Sequence, residues 1–235
     1  MEQQFTGSET VGEIVAAFPG AGNLMKEYKI DFCCGGNRPL SEALRQKGID
    51  EKSFLEQLNR LYQQALQKQS QDVDFRQMPL GDLIDHIVQN HHAYLLEELP
   101  LLSQFVTKIF RVHGGAHPEL ARLHRLFHQL KTDLEQHLVE EEETVFPLIK
   151  EAERAGTREA FQKASETLAK LEDDHSAAGE LLREMREITD DYRLPEGACR
   201  TYTLTFRELE ELEADMFQHI HLENNVLFPR VSRQA

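Results

Sequence analysis

Apolar residues recur at three- and four-residue intervals through nearly the whole chain, and alternating apolar–polar runs are almost absent. That period predicts amphipathic helices and few or no strands. In the first part, Ser41 can cap a short helix running to Lys47, with Gly48 as its stop. Asp50 then opens a longer helix carrying Phe54, Leu55, Leu58, Leu61 and Leu66. Residues 67–74 are polar without an apolar period and read as a linker. The division expected is a small N-terminal helical domain over 1–72 and a second domain over 78–235.

The second domain breaks into helical stretches of bundle length, near 80–112, 118–143, 158–191 and 195–224. Pro100 is expected to kink or break the first. Short connections between long helices imply antiparallel neighbours. The fold class predicted is therefore all-α, with the small helical domain followed by an up-down four-helix bundle.

The inward stripes contain residues that a core does not favour. Leu123, Phe127, Leu130 and Leu134 are followed on their stripe by His137 and Glu141. Leu168 and Leu171 lead to His175, then Ala178, Leu182 and Met185. Leu209, Leu212 and Met216 lead to His219 and Glu223. A single histidine on such a stripe is more often a hydrogen-bonded core residue than a ligand. Several histidines and two carboxylates at one level would be costly without a cation, since buried charges are paired or bind metal.

The two carboxylates also sit in a repeated motif. His137-Leu-Val-Glu-Glu141-Glu-Glu-Thr-Val-Phe146-Pro147 returns 82 residues later as His219-Ile-His-Leu-Glu223-Asn-Asn-Val-Leu-Phe228-Pro229. Both read H-x3-E-x4-F-P. Positions i and i+4 lie about 40° apart around a helix and roughly 6 Å apart along it, so each pair can aim an imidazole and a carboxylate at one point. Two such pairs predict a dinuclear metal site inside the bundle. Each Phe-Pro is expected to end or kink its helix, because the residue before proline is biased away from helical geometry.

The first bundle helix offers His91 and His92, and periodicity cannot choose between them. His124, His128 and His221 lie on the side opposite the ligand stripe and read as surface. His86 is off-face, and His113 and His117 flank the Gly114-Gly115 turn.

Composition narrows the partners. The chain has 235 residues and a net charge of −15; residues 1–78 carry 11 acidic and 9 basic residues, the remainder 30 and 17. An acidic bundle disfavours nucleic acid and anionic membranes, and most of that acidity reads as solvated helix faces. No apolar run is long enough to span a bilayer, and the N-terminus lacks a signal-peptide pattern, so a cytoplasmic location is expected. Three cysteines, two adjacent, form no disulfide framework.

The two H-x3-E-x4-F-P motifs and the Asp-Asp-His175 segment between them resemble the hemerythrin-like bundle. Phe18-Pro-Gly-Ala-Gly-Asn-Leu-Met-Lys-Glu-Tyr-Lys-Ile-Asp-Phe-Cys33-Cys34-Gly-Gly-Asn resembles the small domain that precedes the bundle in the RIC (repair of iron centres) di-iron proteins of the ScdA/YtfE/DnrN type. The resemblance covers nearly the whole chain. It implies two iron ions per chain, oxo- or carboxylate-bridged, on His92, His137, Glu141, His175, His219 and Glu223, with the glutamates bridging. It implies His92 rather than His91, and it implies repair of iron–sulfur clusters damaged by nitrosative and oxidative stress, with damaged iron–sulfur proteins as clients.

Two departures separate the chain from oxygen-carrying hemerythrins. Gly179 stands four residues after His175, where those carry a second histidine, and the last motif is H-x3-E rather than H-x4-D. The open position suits chemistry or metal release. A di-iron nitric oxide reductase and an O2- or NO-binding carrier or sensor are the alternative functions, and a homodimer stays open. Cys33-Cys34 precedes Gly35-Gly36, a sequence expected to turn tightly and expose both thiols for relay of iron or electrons. Cys199 is expected to be structural.

Overall fold

Thr10 starts the helical path with a reciprocal cap: its hydroxyl accepts from the Glu13 N–H, and the Glu13 carboxylate accepts from the Thr10 N–H. In the computed structural model, which describes residues 4–67 and 74–235, twelve α-helices follow. They are α1 (Val11–Ala17), α2 (Ala21–Glu27), α3 (Leu40–Lys47), α4 (Glu51–Gln67), α5 (Leu80–Ile87), α6 (Ala93–His113), α7 (Glu119–Glu140), α8 (Phe146–Ala155), α9 (Arg158–Ser165), α10 (Leu168–Ile188), α11 (Arg200–His221) and α12 (Phe228–Ser232). No strand occurs among the described residues. The expected linker falls largely on 68–73, outside them.

Several local expectations change. Proline 39 precedes α3 as its N-cap, so Ser41 lies inside the helix, while Gly48 does end it in left-handed geometry (φ 67°). The short helices α1 and α2 escaped the apolar period because each is only two turns long. The stretch over 158–191 is interrupted at Glu166–Thr167, leaving α9 and α10 as separate helices. Pro100 lies inside α6 without ending it.

The Phe-Pro pairs do not stop their helices either. Phe146 is helical (φ −62°, ψ −40°), as is Phe228 (φ −62°, ψ −43°). The chain instead passes through π-helical turns at Glu141–Val145 and Leu222–Leu227, and through a third at Val88–His92. In each, a backbone N–H reaches five residues back: Ala93 to Val88, Phe146 to Glu141 and Phe228 to Glu223. The ladder restarts after the turn, which puts Pro147 and Pro229 in the first turn of a new α segment, where a missing N–H costs little.

Two compact units emerge: Met1–Leu83 with Phe217–Arg233, and Ile84–Met216 with Gln234–Ala235. The first packs Val11, Ile14, Phe18, Leu24, Met25, Phe32, Leu40, Leu44, Phe54 and Leu58 into one core, with Phe217 against it. Hydrogen bonds from Val11 N to Arg38 O and from Gly12 N to Gly36 O tie the start of α1 to the segment before α3.

In the second unit, α6, α7, α10 and the first part of α11 close a ring of antiparallel neighbours. Ser103 and Thr107 of α6 meet His128 and His124 of α7. Arg122 of α7 pairs with Glu184 of α10, and Arg186 of α10 forks onto Glu213 of α11. His91 before α6 reaches Asp215 of α11, and His113 packs on Tyr202. This is the up-down-up-down bundle that the short connections implied, and Leu123, Phe127, Leu130, Leu171, Leu182, Leu209 and Leu212 fill its core.

Candidate metal centre

Each of the six residues on the apolar stripes or at the end of the first π turn is buried: His92, His137, Glu141, His175, His219 and Glu223. Glu141, the first residue of its π turn, lies between two imidazoles. Its Oε2 is 3.4 Å from His92 Nε2 and its Oε1 is 3.2 Å from His137 Nε2. His175 Nε2 lies 2.9 Å from His137 Nε2 and 4.0 Å from Glu141 Oε1. On the other H-x3-E motif, His219 Nε2 is 3.1 Å from Glu223 Oε1. His91, the alternative on the first helix, is instead held by Asp215 at 2.8 Å.

The outer nitrogens show which tautomer is present. His92 Nδ1 is 2.8 Å from Glu142 Oε1, and His137 Nδ1 is 3.4 Å from Asp174 Oδ2. A carboxylate only accepts, so each Nδ1 carries the proton and each Nε2 presents a lone pair inward. The inward lone pair of His137 faces His175 Nε2 at 2.9 Å, a separation that calls for a proton or a cation between the two nitrogens. The Phe of the first motif has a task here too: Phe146 stacks on the His92 ring (5.6 Å between centroids, 22° between planes).

Taken together, two overlapping sets of four buried side chains bring one ligand atom apiece within 4.8 Å of one another. One set is His92, Glu141, His219 and Glu223; the other is His137, Glu141, His175 and Glu223. Both glutamates belong to both sets. Two imidazoles and two shared carboxylates per position make an N/O donor set suited to iron and to a carboxylate-bridged pair. Buried carboxylates facing imidazole lone pairs are costly unless neutralised, so the residues present fit a cation.

A cavity of about 190 Å³ is lined by Asp133, Glu140, Lys170 and Asp174 and reaches His137 and His175. Lys170 pairs with Glu140 on its rim.

The other sequence expectations fare unevenly. His221 is buried, not on the surface: its face opposite the ligand stripe is covered by Phe32, whose carbonyl oxygen accepts from His221 Nδ1 at 3.2 Å. Burial pushes its pKa down to about 4. His124 and His128 are half-buried against α6 hydroxyls. Cys33 is also buried, contrary to the exposed dithiol expected, and Cys34 is half-buried. The reason lies in Gly36: a Cβ there would fall 2.5 Å from the Phe32 carbonyl oxygen and 2.6 Å from Asn225 Oδ1. The glycine thus admits close packing rather than exposing the thiols. Cys33 Sγ lies 3.7 Å from Cys34 Sγ and 3.3 Å from Asp31 Oδ1. The neighbouring thiol, burial and the Asp31 charge hold its pKa well above the usual thiol range. Cys199 is exposed, with His113 Nε2 at 3.2 Å.

Sequence reasoning missed the three π turns, the carboxylates behind the imidazoles and the burial of His221. Only the second had a signal, an acid next to Glu141 and another next to His175.

Comparison with known proteins agrees with this geometry. Residues 83–231 match the family described as Hemerythrin HHE cation binding domain, and residues 7–62 match ScdA_N, described as a domain of unknown function. The chain is 34% identical over 229 residues to the iron-sulfur cluster repair protein ScdA of Staphylococcus haemolyticus, covering 97% of this chain and 99% of the relative. It is 34% identical over 222 residues to the iron-sulfur cluster repair protein YtfE of Escherichia coli O157:H7, covering 94% and 96%. The YtfE of an Enterobacter species matches at the same identity and coverage.

Proposed function

Because this chain belongs to the ScdA/YtfE family of iron–sulfur cluster repair proteins, we propose that it repairs damaged iron–sulfur clusters by giving up iron from a two-iron centre. The observation that carries the reading is the pair of overlapping four-residue sets sharing Glu141 and Glu223. His92 and His219 would hold one ion and His137 and His175 the other, with both glutamates within reach of each. Iron bound there supplies a redox-active, Lewis-acidic cargo that a client cluster lacks.

The residues around it set how firmly the cargo is held. Glu142 and Asp174 fix the Nδ1 protons, so His92 and His137 would hold a metal through Nε2 without reorienting. Two carboxylates against two divalent ions leave net positive charge in a buried site, which favours release when ligands protonate. The cavity beside His137 and His175, with Asp133, Glu140 and Asp174 along it, offers an acidic route for a cation. Damaged iron–sulfur proteins are the clients, and the chain works in the cytoplasm.

The test is anaerobic incubation of iron-loaded protein with a cluster-damaged dehydratase, measuring recovered activity and any N2O formed. Recovery of dehydratase activity that tracks iron lost from this chain supports donation. N2O formation without recovery would replace the donation reading with nitric oxide reduction.

A further inference from the structure

The segment bearing the vicinal thiols is fastened to the turn bearing Glu223. Asn225, inside the Leu222–Leu227 π turn, donates from Nδ2 to the Cys33 carbonyl at 2.9 Å and to the Phe32 carbonyl at 3.3 Å. His221, the residue before that turn, donates from Nδ1 to the same Phe32 carbonyl. Phe32 adds ring contacts to Phe217 and His221 at 5.9 and 5.8 Å.

Two glycines admit the Asn225 side chain. A Cβ on Gly12 would fall 2.4 Å from Asn225 Oδ1, and one on Gly36 would fall 2.6 Å from it. The Gly12 N–H donates to the Gly36 carbonyl at 2.7 Å, closing the pocket. One side chain therefore sits two residues from Glu223, between two glycine backbones, holding the backbone of Cys33.

We propose that Asn225 is a positioning residue that couples the Cys33-Cys34 segment to Glu223, so that metal binding and thiol access oppose each other. The inference rests on the reading of Glu223 as a ligand. With metal bound, Glu223 and its π turn are fixed, and the Phe32 and Cys33 carbonyls stay docked. When the segment lifts to expose the thiols, the turn loses its hydrogen-bonded partners and Glu223 its fixed aim. Such linkage is reciprocal at equilibrium: the factor by which metal disfavours the exposed state of the thiols equals the factor by which exposure weakens metal binding.

Alkylation of the full chain under anaerobic conditions tests this. Iron(II)-loaded and apo protein are treated with iodoacetamide, and the Cys33-Cys34 peptide is followed by mass spectrometry with the exposed Cys199 as internal reference. Iron should slow alkylation of the pair about five-fold or more relative to Cys199, a modest coupling for linked sites. Prior alkylation should weaken iron binding, read by equilibrium competition with a chelator, by a similar factor. Asn225→Ala should bring both ratios towards one while iron content is retained. If iron sat on the thiols themselves, protection would survive Asn225→Ala, and that result overturns the proposal. Equal rates in apo and iron-loaded wild type overturn it as well, even should the variant fail to fold. A chain that binds no iron ends the metal reading and this inference with it, whereas bound iron with equal rates ends this inference alone.

Discussion

Replacing Glu141 with Gln separates a metal ligand from a merely buried ion-pair partner. Glu141 is fully buried and within 4.0 Å of His92, His137 and His175. It also belongs to both four-residue sets. Glutamine keeps the volume and removes the charge. Removing one partner of a buried charged cluster costs about 3–5 kcal/mol, and each 1.4 kcal/mol is ten-fold, so metal affinity should drop at least about a hundred-fold. At free metal near 100 times the wild-type Kd, binding stabilises the wild type by about 2.7 kcal/mol, while the variant, then near its own Kd, gains only about 0.4 kcal/mol. For a chain of this length each kcal/mol moves the Tm by roughly 2–4 °C. Metal should thus raise the wild-type Tm by roughly 5–10 °C and the variant's by about 1 °C. Differential scanning fluorimetry with and without iron(II), backed by iron content, measures both, with His124→Ala as a control that keeps the full shift. A Glu141→Gln protein that retains the wild-type shift would refute the ligand assignment. Chelation of the wild type should lower its Tm by the same amount.

Three further outcomes follow from contacts away from the metal. Glu213, buried and doubly bonded to Arg186, should cost about 2–4 kcal/mol when changed to Ala, because it leaves a partly buried guanidinium with the more distant Asp191, at 3.5 Å, in place of its main partner; urea titration measures this, and Arg186→Met with Glu213→Leu should recover most of it. Gly36→Ala should cost about 1–3 kcal/mol by overpacking against the Phe32 carbonyl and Asn225, and an unchanged midpoint would show that the segment yields freely. Asp31→Asn should speed Cys33 alkylation at pH 8, since the Asp31 charge helps hold the thiol pKa high; the wild-type rate itself should keep climbing past pH 9, and a plateau below pH 8 would contradict the direction of that shift.

Much of the site was legible because burial and helical period are both written in sequence. His137, Glu141, His175, His219 and Glu223 interrupt otherwise apolar stripes, and the structure buries all of them. His91 and His92 could not be separated by period, since adjacent residues lie about 100° apart on a helix and both bordered apolar rows. The resemblance indicated His92, and its Nε2 does face Glu141. His221 was misread for a different reason. Azimuth places it correctly on the face away from the ligands, but what covers that face is Phe32, 189 residues distant. Helical period reports faces, not what lies against them. The Gly35-Gly36 pair misled similarly: glycine signals either a turn or a close approach, and only the position of Asn225 decides between them.

The spacing E-x4-F-P was the least legible feature, and the π turn explains it. Five residues along an α-helix amount to about 140° of rotation, which would carry Phe146 away from the face of Glu141. A turn closed by bonding to the fifth residue back returns Phe146 nearly above Glu141, where its ring stacks on His92. The π turn thus keeps Phe146 on the His92 ring despite the added residue, while Pro147 after it lacks the N–H that would draw the ladder back to α geometry. Inserting one alanine after the exposed Thr144 should carry Phe146 about 100° further round the helix and off His92, and sharply reduce the metal-induced rise in Tm. Thr144→Ala, which keeps the residue count, should leave that rise intact. If the insertion variant folds and binds iron as the wild type does, the Phe146 stack is incidental to the site; if Thr144→Ala already abolishes binding, the threonine side chain and not the spacing is what matters.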